Sequence, residues 1–292
     1  MRNPAKGRPY FEGWYLKHQN EEETVAFIPA FHGDRASLQL ITDSGVYRAE
    51  YPADEFHMGT GRQYLMVGNS VFSGRGCRLN CTAGGLECHG ELRYTLLSQP
   101  GPDIMGPFRF VPFMQCRHSV FSPGHRVDGR LNLNGREIRF ENGSGYWEGD
   151  RGRSFPSQYL WTQCNWQEKG VMLSVADIPL GPIHFTGCIG CVVYGGKEFR
   201  FATYRGARVR KIEDGAATIT QDDLCLTATL LERAPQPLQA PVHGKMARTI
   251  YENATCTVRY TLARRDRILF DFTSRRASFE SEWRSADEPA ST

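Results

Sequence analysis

The residues best suited to do chemistry lie at mid-chain, in the segment YWEGDRGRSFPSQYLWTQCNW at residues 146–166. Glu148 and Asp150 are two residues apart among glycines, in a composition that is typical of a loop. If both carboxyls project into one cavity, burial and mutual repulsion keep one of them protonated, so that one is a proton donor and the other a fixed anion. Arg151 or Arg153 could instead hold both carboxylates ionised in a salt-bridged loop, and the residues leave both interpretations open.

A histidine is the second candidate for acid–base chemistry. His118 and His125 flank the end of a predicted strand, and an imidazole can give or take a proton near neutral pH. His118 is preferred because it lies within the strand, while a structural role is the alternative for either ring. The predicted catalytic residues are therefore Glu148, Asp150 and His118.

Residues 158–166 have the aromatic and threonine content of a strand, which would position the groups that face a ligand. Side chains of a strand alternate between its two faces, so Tyr159, Trp161, Gln163 and Asn165 share one side. An aromatic face with amide groups suits a barrel lumen or cleft that holds an apolar ligand and orients its polar end. The alternative is a central strand whose amides satisfy neighbouring backbone groups.

The composition predicts an all-β chain. Aromatic residues make up 12% of the sequence, and its 30 glycines and 16 prolines are typical of many short strands joined by turns. Irregular connections are predicted at residues 98–112 and 234–241, because both are rich in proline. The polar residues 277–292 are expected to fray.

A sequence repeat indicates two halves. The segment that starts at Phe11, FEGWYLKHQ, matches the segment that starts at Phe155, FPSQYLWTQ, at a phenylalanine, a tyrosine, a leucine and a glutamine. An apolar strand and a proline follow each copy. We therefore predict two tandem β units, residues 1–145 and 146–292, with a ligand site between them or in the mouth of one.

Charge and targeting signals argue against several classes of protein. The formal net charge of +3 is too small for an electrostatic footprint on nucleic acid, so no nucleic-acid partner is expected. Residues 1–10 lack the apolar core of a signal peptide, and no stretch approaches the roughly 20 apolar residues that a membrane span needs. The nine cysteines are odd in number and irregularly spaced, which favours free thiols and a cytoplasmic location.

The cysteines do not form a strong metal motif. The segment CRLNCTAGGLECH at residues 77–89 lacks the paired Cys-x-x-Cys knuckles of a zinc site. Cys188 and Cys191 are three apart on a predicted strand and hence on opposite faces. Buried free thiols are predicted at these positions, and neither a metal nor another cofactor is expected. The sequence also has no phosphate-binding glycine loop and no Gly-x-Ser-x-Gly elbow.

Several stretches together resemble the tocopherol cyclase-like family. They are FEGWY with Lys17, YWE with the following SFP, WTQCN at residues 161–165, and PLQAP at residues 237–241. The resemblance spans about residues 10–280, nearly the whole chain. The broader group includes carotenoid hydratases and lipocalin-like Diels–Alderases. The resemblance implies two lipocalin-like β-barrel or sandwich units with few short helices.

The resemblance also implies a reaction. Such a cyclase protonates a trisubstituted alkene of a prenyl tail, and a phenol oxygen captures the tertiary cation; in a hydratase, water takes the cation instead. Glu148 or Asp150 would be the acid, tryptophan and tyrosine rings would stabilise the cation, and amides would anchor the head group. The predicted ligand-binding residues are Glu12, Trp14, Tyr159, Trp161, Gln163 and Asn165.

Three interpretations of function stay open. The first is an enzyme that binds a prenylated or terpenoid molecule, either an isomerase-type cyclase or a hydratase-type lyase with a carboxylic acid as proton donor. The second is a non-catalytic carrier of a hydrophobic small molecule. The third is a purely structural β protein. Peripheral contact with a membrane surface and the oligomeric state are left open as well.

Overall fold

A computed structural model of the chain describes residues 10–98, 100–111, 114–166, 169–180 and 183–284. Strands dominate this part of the chain, and its helical segments are three short 3₁₀ turns, Ala53–Glu55, Gly106–Phe110 and Thr203–Arg205. The strands are β1 Phe11–Gln19, β2 Thr24–His32, β3 Arg35–Thr42, β4 Gly45–Pro52, β5 Phe56–Met58, β6 Tyr64–Val67, β7 Ser70–Ser73, β8 Gly76–Ala83, β9 Leu86–Thr95, β10 Cys116–Leu133, β11 Arg136–Gly152, β12 Tyr159–Trp166, β13 Lys169–Leu180, β14 Ile183–Tyr194, β15 Lys197–Ala202, β16 Arg208–Glu213, β17 Ala216–Gln221, β18 Leu224–Glu232, β19 Gln236–Val242, β20 Lys245–Arg264 and β21 Arg267–Ser281. None of the helical segments in the described ranges has the length and apolar character to cross a bilayer.

The strands form two antiparallel sheets, one from each half of the chain. The first has the order β4-β3-β2-β1-β11-β10-β9-β8-β7-β6-β5. The second has the order β15-β14-β13-β12-β21-β20-β18-β17-β16, and β19 pairs with β20. In each sheet the first strand of the half pairs with its last strand, β1 with β11 and β12 with β21. The two copies of the sequence repeat therefore occupy equivalent places, and the predicted two-unit all-β fold is confirmed.

The passage between the sheets falls between Gly152, the last residue of β11, and Tyr159, the first of β12. The predicted division after residue 145 lies inside β11, and the position of the boundary between folding units stays a prediction.

Burial patterns distinguish the outer strands from the central ones. In β8 the inward-facing Cys77, Leu79 and Cys81 alternate with exposed residues, as expected for a sheet with one solvated face. In β1 and β12 almost every residue is buried. Each of these central strands packs one face against the core of its own unit and the other face against the opposite unit. Polar side chains of β1 and β12 are for this reason enclosed.

The buried hydrophobic residues form three clusters, one in each unit and one between the units. One fills the first unit and includes Trp14 and Trp147, and a second fills the other unit and includes Leu160. The third joins residues of both halves, among them Tyr15 and Trp161. Because fully burying a side chain of this size contributes roughly 1.5–3 kcal/mol, the third cluster makes the two units one packed body.

The segment that contains Glu148 and Asp150 is a strand, so the prediction of a loop there was wrong. It belongs to β11, which is hydrogen-bonded to β1 on one side and β10 on the other. Its glycines serve close packing instead of turns. A Cβ at Gly149 would lie 2.9 Å from Cδ1 of Trp14 and 3.0 Å from the carbonyl oxygen of Gly13.

Two further expectations were wrong for related reasons. The proline-rich residues 236–242 form β19, which among the described strands pairs with β20 alone. An edge strand tolerates proline because one row of its backbone groups needs no strand partner. The residues 277–281 belong to β21 and do not fray. The rest of the predicted fraying tail, residues 285–292, lies outside the described residues.

All nine cysteines are free thiols. Cys77, Cys81 and Cys88 lie in the core of the first unit. Cys188 packs in the core of the second unit and Cys191 packs between the units, which confirms that they occupy opposite faces of their strand.

Candidate functional site

A cavity of about 180 Å³ lies between the two sheets. It exceeds the roughly 150 Å³ cavity that encloses a benzene molecule in a protein interior. Much of its wall is apolar, formed by residues such as Phe11, Ile28, Met105, Phe155, Ile178 and Leu238. Its acidic and basic lining residues are His118, Glu148, Asp150, Asp177, Glu252 and Glu280.

Strand β11 positions the first group of polar side chains. Tyr146, Glu148 and Asp150 alternate along it and therefore face the same side. Oε2 of Glu148 accepts hydrogen bonds from the hydroxyl of Tyr146 and, at 3.1 Å, from Nε1 of Trp161. Glu148 is 5% exposed, so these donors replace the water that its side chain has lost.

His118 lies between the two carboxyls. Its Nδ1 is 3.0 Å from Oδ1 of Asp150, and its Nε2 is 3.1 Å from Oε2 of Glu148. The first contact is a hydrogen bond; the second is close enough for an ion pair, but its angle is outside that of a hydrogen bond. Sγ of Cys116 also donates to Oδ1 of Asp150, at 3.4 Å.

The charge state of His118 follows from its surroundings. Burial by itself would lower the pKa of this imidazole, but the negative charges of Glu148 and Asp150 outweigh burial and raise the pKa well above its usual value. The group is therefore an imidazolium, and it lies within 3.1 Å of both acidic side chains. The structure thus brings together all three predicted catalytic residues.

These three residues also have the spacing of a metal site. Their ligand atoms lie within 4.8 Å of one another, in the only such grouping among the described residues. Histidine and carboxylate ligands suit a divalent cation. However, the facing oxygens of Glu148 and Asp150 already accept hydrogen bonds from Tyr146, Trp161 and His118, so a cation would have to displace these donors.

His125 lies away from the cavity, inside the first unit. Its ring is 4.5 Å from that of Tyr94, whose hydroxyl is 2.6 Å from Nε2 of His18. Burial lowers the pKa of His18 and of His125 to about 3, so both rings are neutral. This arrangement favours a structural role for His125.

The predicted ring residues line the cavity. Trp161 packs edge-on against Tyr15, with ring centroids 5.4 Å apart. Tyr159 lies next to Trp161 along the cavity wall and donates its hydroxyl to Oε1 of Glu280. Trp14 contributes to the lining but is mostly packed in the first core, where its Nε1 donates to the carbonyl oxygen of Arg62 at 3.1 Å.

Three other predicted ligand-binding residues are absent from the lining formed by the described residues. Glu12 forms an ion pair with Arg62. Nε2 of Gln163 donates to Oδ1 of Asn165 at 2.6 Å, and Nδ2 of Asn165 donates to the carbonyl oxygen of Gly145 at 2.9 Å. These contacts match the alternative in which the amides satisfy neighbouring polar groups, and a ligand-binding role for the three residues stays a prediction.

Two buried carboxyls were missed from the sequence. Glu252 of β20 and Glu280 of β21 are opposite each other in the register, and Glu280 is also opposite Trp161. Burial raises the pKa of Glu252 to about 7, against the effects of Tyr15 and Lys17. Burial, helped by neighbouring carboxylates, raises the pKa of Glu280 well above its usual value.

A sequence signal for Glu280 existed. The run Ala277, Ser278, Phe279, Glu280 alternates apolar and polar residues with the period of a strand. Its overall polarity led instead to the expectation of a frayed end. Ala277 and Phe279 pack in the second core, which turns Ser278 and Glu280 toward the other unit.

The two sheets and the cavity between them define a lipocalin-like all-β protein of two units. Solved structures share this fold. A Nitrosomonas europaea protein provisionally described as AttH is similar, with a TM-score of 0.54 and 12% identity over 94% of this chain and 92% of that chain. Kievitone hydratase from Nectria haematococca is similar, with a TM-score of 0.53 and 10% identity over 97% of this chain and 93% of that chain.

At this identity the likeness concerns the fold, since one fold supports many functions. No protein-family model matches the chain, and no curated protein does. The resemblance to the tocopherol cyclase-like family is therefore carried by the sequence motifs alone.

Proposed function

We propose that the chain binds a prenylated or terpenoid hydrophobic molecule and catalyses acid-promoted cyclisation or hydration of an alkene in it. The observation that carries the proposal is the meeting, in one cavity, of tryptophan and tyrosine rings with carboxyls and an imidazolium. The tocopherol cyclase-like motifs agree with it, and so does the fold shared with a hydratase.

The proposed reaction begins with transfer of a proton from the network of Glu148, His118 and Asp150 to one alkene carbon. The other alkene carbon becomes a tertiary cation, which the electron-rich faces of Trp161 and Tyr159 stabilise. A lone pair of a phenol oxygen of the same molecule, or of water, then forms the C–O bond. The proton released from that oxygen returns to the network, so the products are an isomer or a hydrate and no redox partner is needed.

The apolar wall of the cavity is what makes this chemistry feasible. An apolar wall disfavours the ionised form of a carboxyl, so it keeps a proton donor protonated near neutral pH, and it limits side reactions of the cation with bulk water. His118 keeps the network supplied, because its two nitrogens reach both carboxyls. Correctly placed general acids contribute typically about 10²–10⁴-fold to rate.

The test is turnover of ortho-prenylphenol in D₂O by the wild type and by a double variant, Glu148→Gln with Asp150→Asn. We expect the wild-type product to contain one deuterium on carbon, because the transferred proton exchanges with solvent. In the double variant, turnover should fall by at least about 100-fold, while binding of the same probe, measured by calorimetry, changes little.

A matched control is Glu137→Gln, which removes an exposed carboxyl paired with Arg139. It should leave both turnover and binding unchanged. Wild-type rates in the double variant would show that these carboxyls are not the acid. Tight binding of the probe by the wild type without any conversion would favour the carrier instead.

A further inference from the structure

The wall of the cavity opposite β11 carries a second pair of acids. Trp161, Glu280 and Glu252 stand side by side on β12, β21 and β20, each opposite the next in the strand register. All three line the cavity. This pair is separate from the three residues to which proton transfer is assigned.

The surroundings of the pair are unusual for a structural role. Both side chains are at least nine-tenths buried, at 3% exposure for Glu252 and 6% for Glu280. Lys17, the nearby cation, donates to Oγ of Ser278 at 2.7 Å and to the carbonyl oxygen of Arg276 at 3.0 Å. Buried carboxyls without a cationic partner destabilise a fold, and such features are expected where a site needs them.

The two carboxyls differ in their hydrogen-bond partners. Oε1 of Glu280 accepts the hydroxyl of Tyr159. Oε1 of Glu252 is buried and has no hydrogen-bond partner in the described part of the chain. A buried acceptor without a donor loses about 1–3 kcal/mol of solvation, unless a bound molecule supplies the donor.

We propose that Glu252, with Glu280 beside it, forms a hydroxyl-binding end of the cavity. The ligand is then an apolar molecule that carries a phenolic or alcoholic hydroxyl, and not a pure hydrocarbon. The hydroxyl donates to Oε1 of Glu252, while the apolar remainder extends along the wall toward Ile250 and Leu238. This inference rests on the proposed function for the class of ligand, and it replaces Gln163 and Asn165 as the anchor of the polar end.

The experiment compares matched probes that differ in one donor: ortho-prenylphenol with its methyl ether, and geraniol with its methyl ether. Binding to the wild-type protein is measured by calorimetry, supported by quenching of tryptophan fluorescence. We expect one hydroxyl probe or both to bind about tenfold more tightly than the ether, as a hydrogen bond to an otherwise unsatisfied buried acceptor would give. The pair that shows the preference identifies the kind of hydroxyl.

Variants localise the preference. Glu252→Gln should reduce it to about threefold or less, and Glu252→Asp, which withdraws the carboxyl by one methylene, should give an intermediate loss. Glu213→Gln removes an exposed carboxyl paired with Lys211 and should change nothing. A thermal unfolding curve for each variant confirms that it is folded.

The outcomes separate this inference from the proposed function. If each hydroxyl probe and its ether bind equally to the wild type, the hydroxyl site is refuted while the proposed reaction stands. If the preference survives in Glu252→Gln, the donor is recognised elsewhere. If none of the four probes binds, the proposed class of ligand is refuted, and the hydroxyl site with it.

Discussion

Replacing Glu252 with glutamine is expected to change how the stability of the protein depends on pH. Burial raises the pKa of this carboxyl from its ordinary 4.5 to about 7 in the folded protein. Between these two values the unfolded chain has lost the proton and the folded chain has kept it. Because the folded state then binds more protons than the unfolded state, the free energy of unfolding decreases as pH rises.

The size of the effect follows from the two pKa values. A difference between 4.5 and about 7 corresponds to about 3 kcal/mol, at about 1.4 kcal/mol for each pH unit. This destabilisation is absent below pH 4.5 and complete above pH 7. Glutamine has nearly the same shape and cannot ionise, so Glu252→Gln should not lose this stability as the pH rises.

The measurement is urea unfolding of wild type and Glu252→Gln at several pH values from 4.5 to 8. The free energy of unfolding of the variant, relative to wild type, should rise by about 3 kcal/mol across this range. Using the difference between two proteins cancels other titrating groups, such as His118. Glu213→Gln, at the surface, should show no such trend. A difference that is constant with pH would refute the assignment of Glu252 as a carboxyl that stays protonated through burial.

Two further predictions concern the scaffold and the thiols. Gly90→Ala should lower the free energy of unfolding by at least about 2 kcal/mol in the same assay, because its Cβ would lie 2.3 Å from the carbonyl oxygen of Arg130 at a φ of +140°. The control is Gly45→Ala, since there is open space around Gly45. Equal stability of the two variants would contradict the argument. In the native protein a chromogenic thiol reagent should react readily at Cys225 and only slowly at Cys116, whose thiol has a pKa raised by burial and by Asp150, whereas all nine thiols should react after unfolding. Rapid native reaction of several further cysteines would show that the cores are open.

The sequence predicted the features that depend on local pattern. The period-two alternation of strands, the glycine turns and the repeat between Phe11 and Phe155 indicated two all-β units, and the sheets show them. The alternation of β12 also put Tyr159 and Trp161 on one face, where both line the cavity. These inferences succeed because side-chain direction in a strand is set by neighbouring residues in the chain.

The sequence was misleading where a glycine or proline has a tertiary role. Gly149 is typical of a loop, but it is required in a central strand because a Cβ there would lie 2.9 Å from Cδ1 of Trp14. Pro237 reads as a strand breaker, but it lies at a sheet edge, where its missing N–H has no consequence. In both cases the place of the strand in the sheet, and not the residue type, decides what the position tolerates.

What the sequence by itself determined is the architecture and the chemical character of the mid-chain carboxyls and rings. The tertiary structure alone decided which ionisable groups share the cavity. It joined His118 to Glu148 and Asp150, and it added Glu252 and Glu280 from strands more than 100 residues further along. The physical reason is that strand register across two sheets sets these distances, while burial by the opposite unit sets the protonation of each acid.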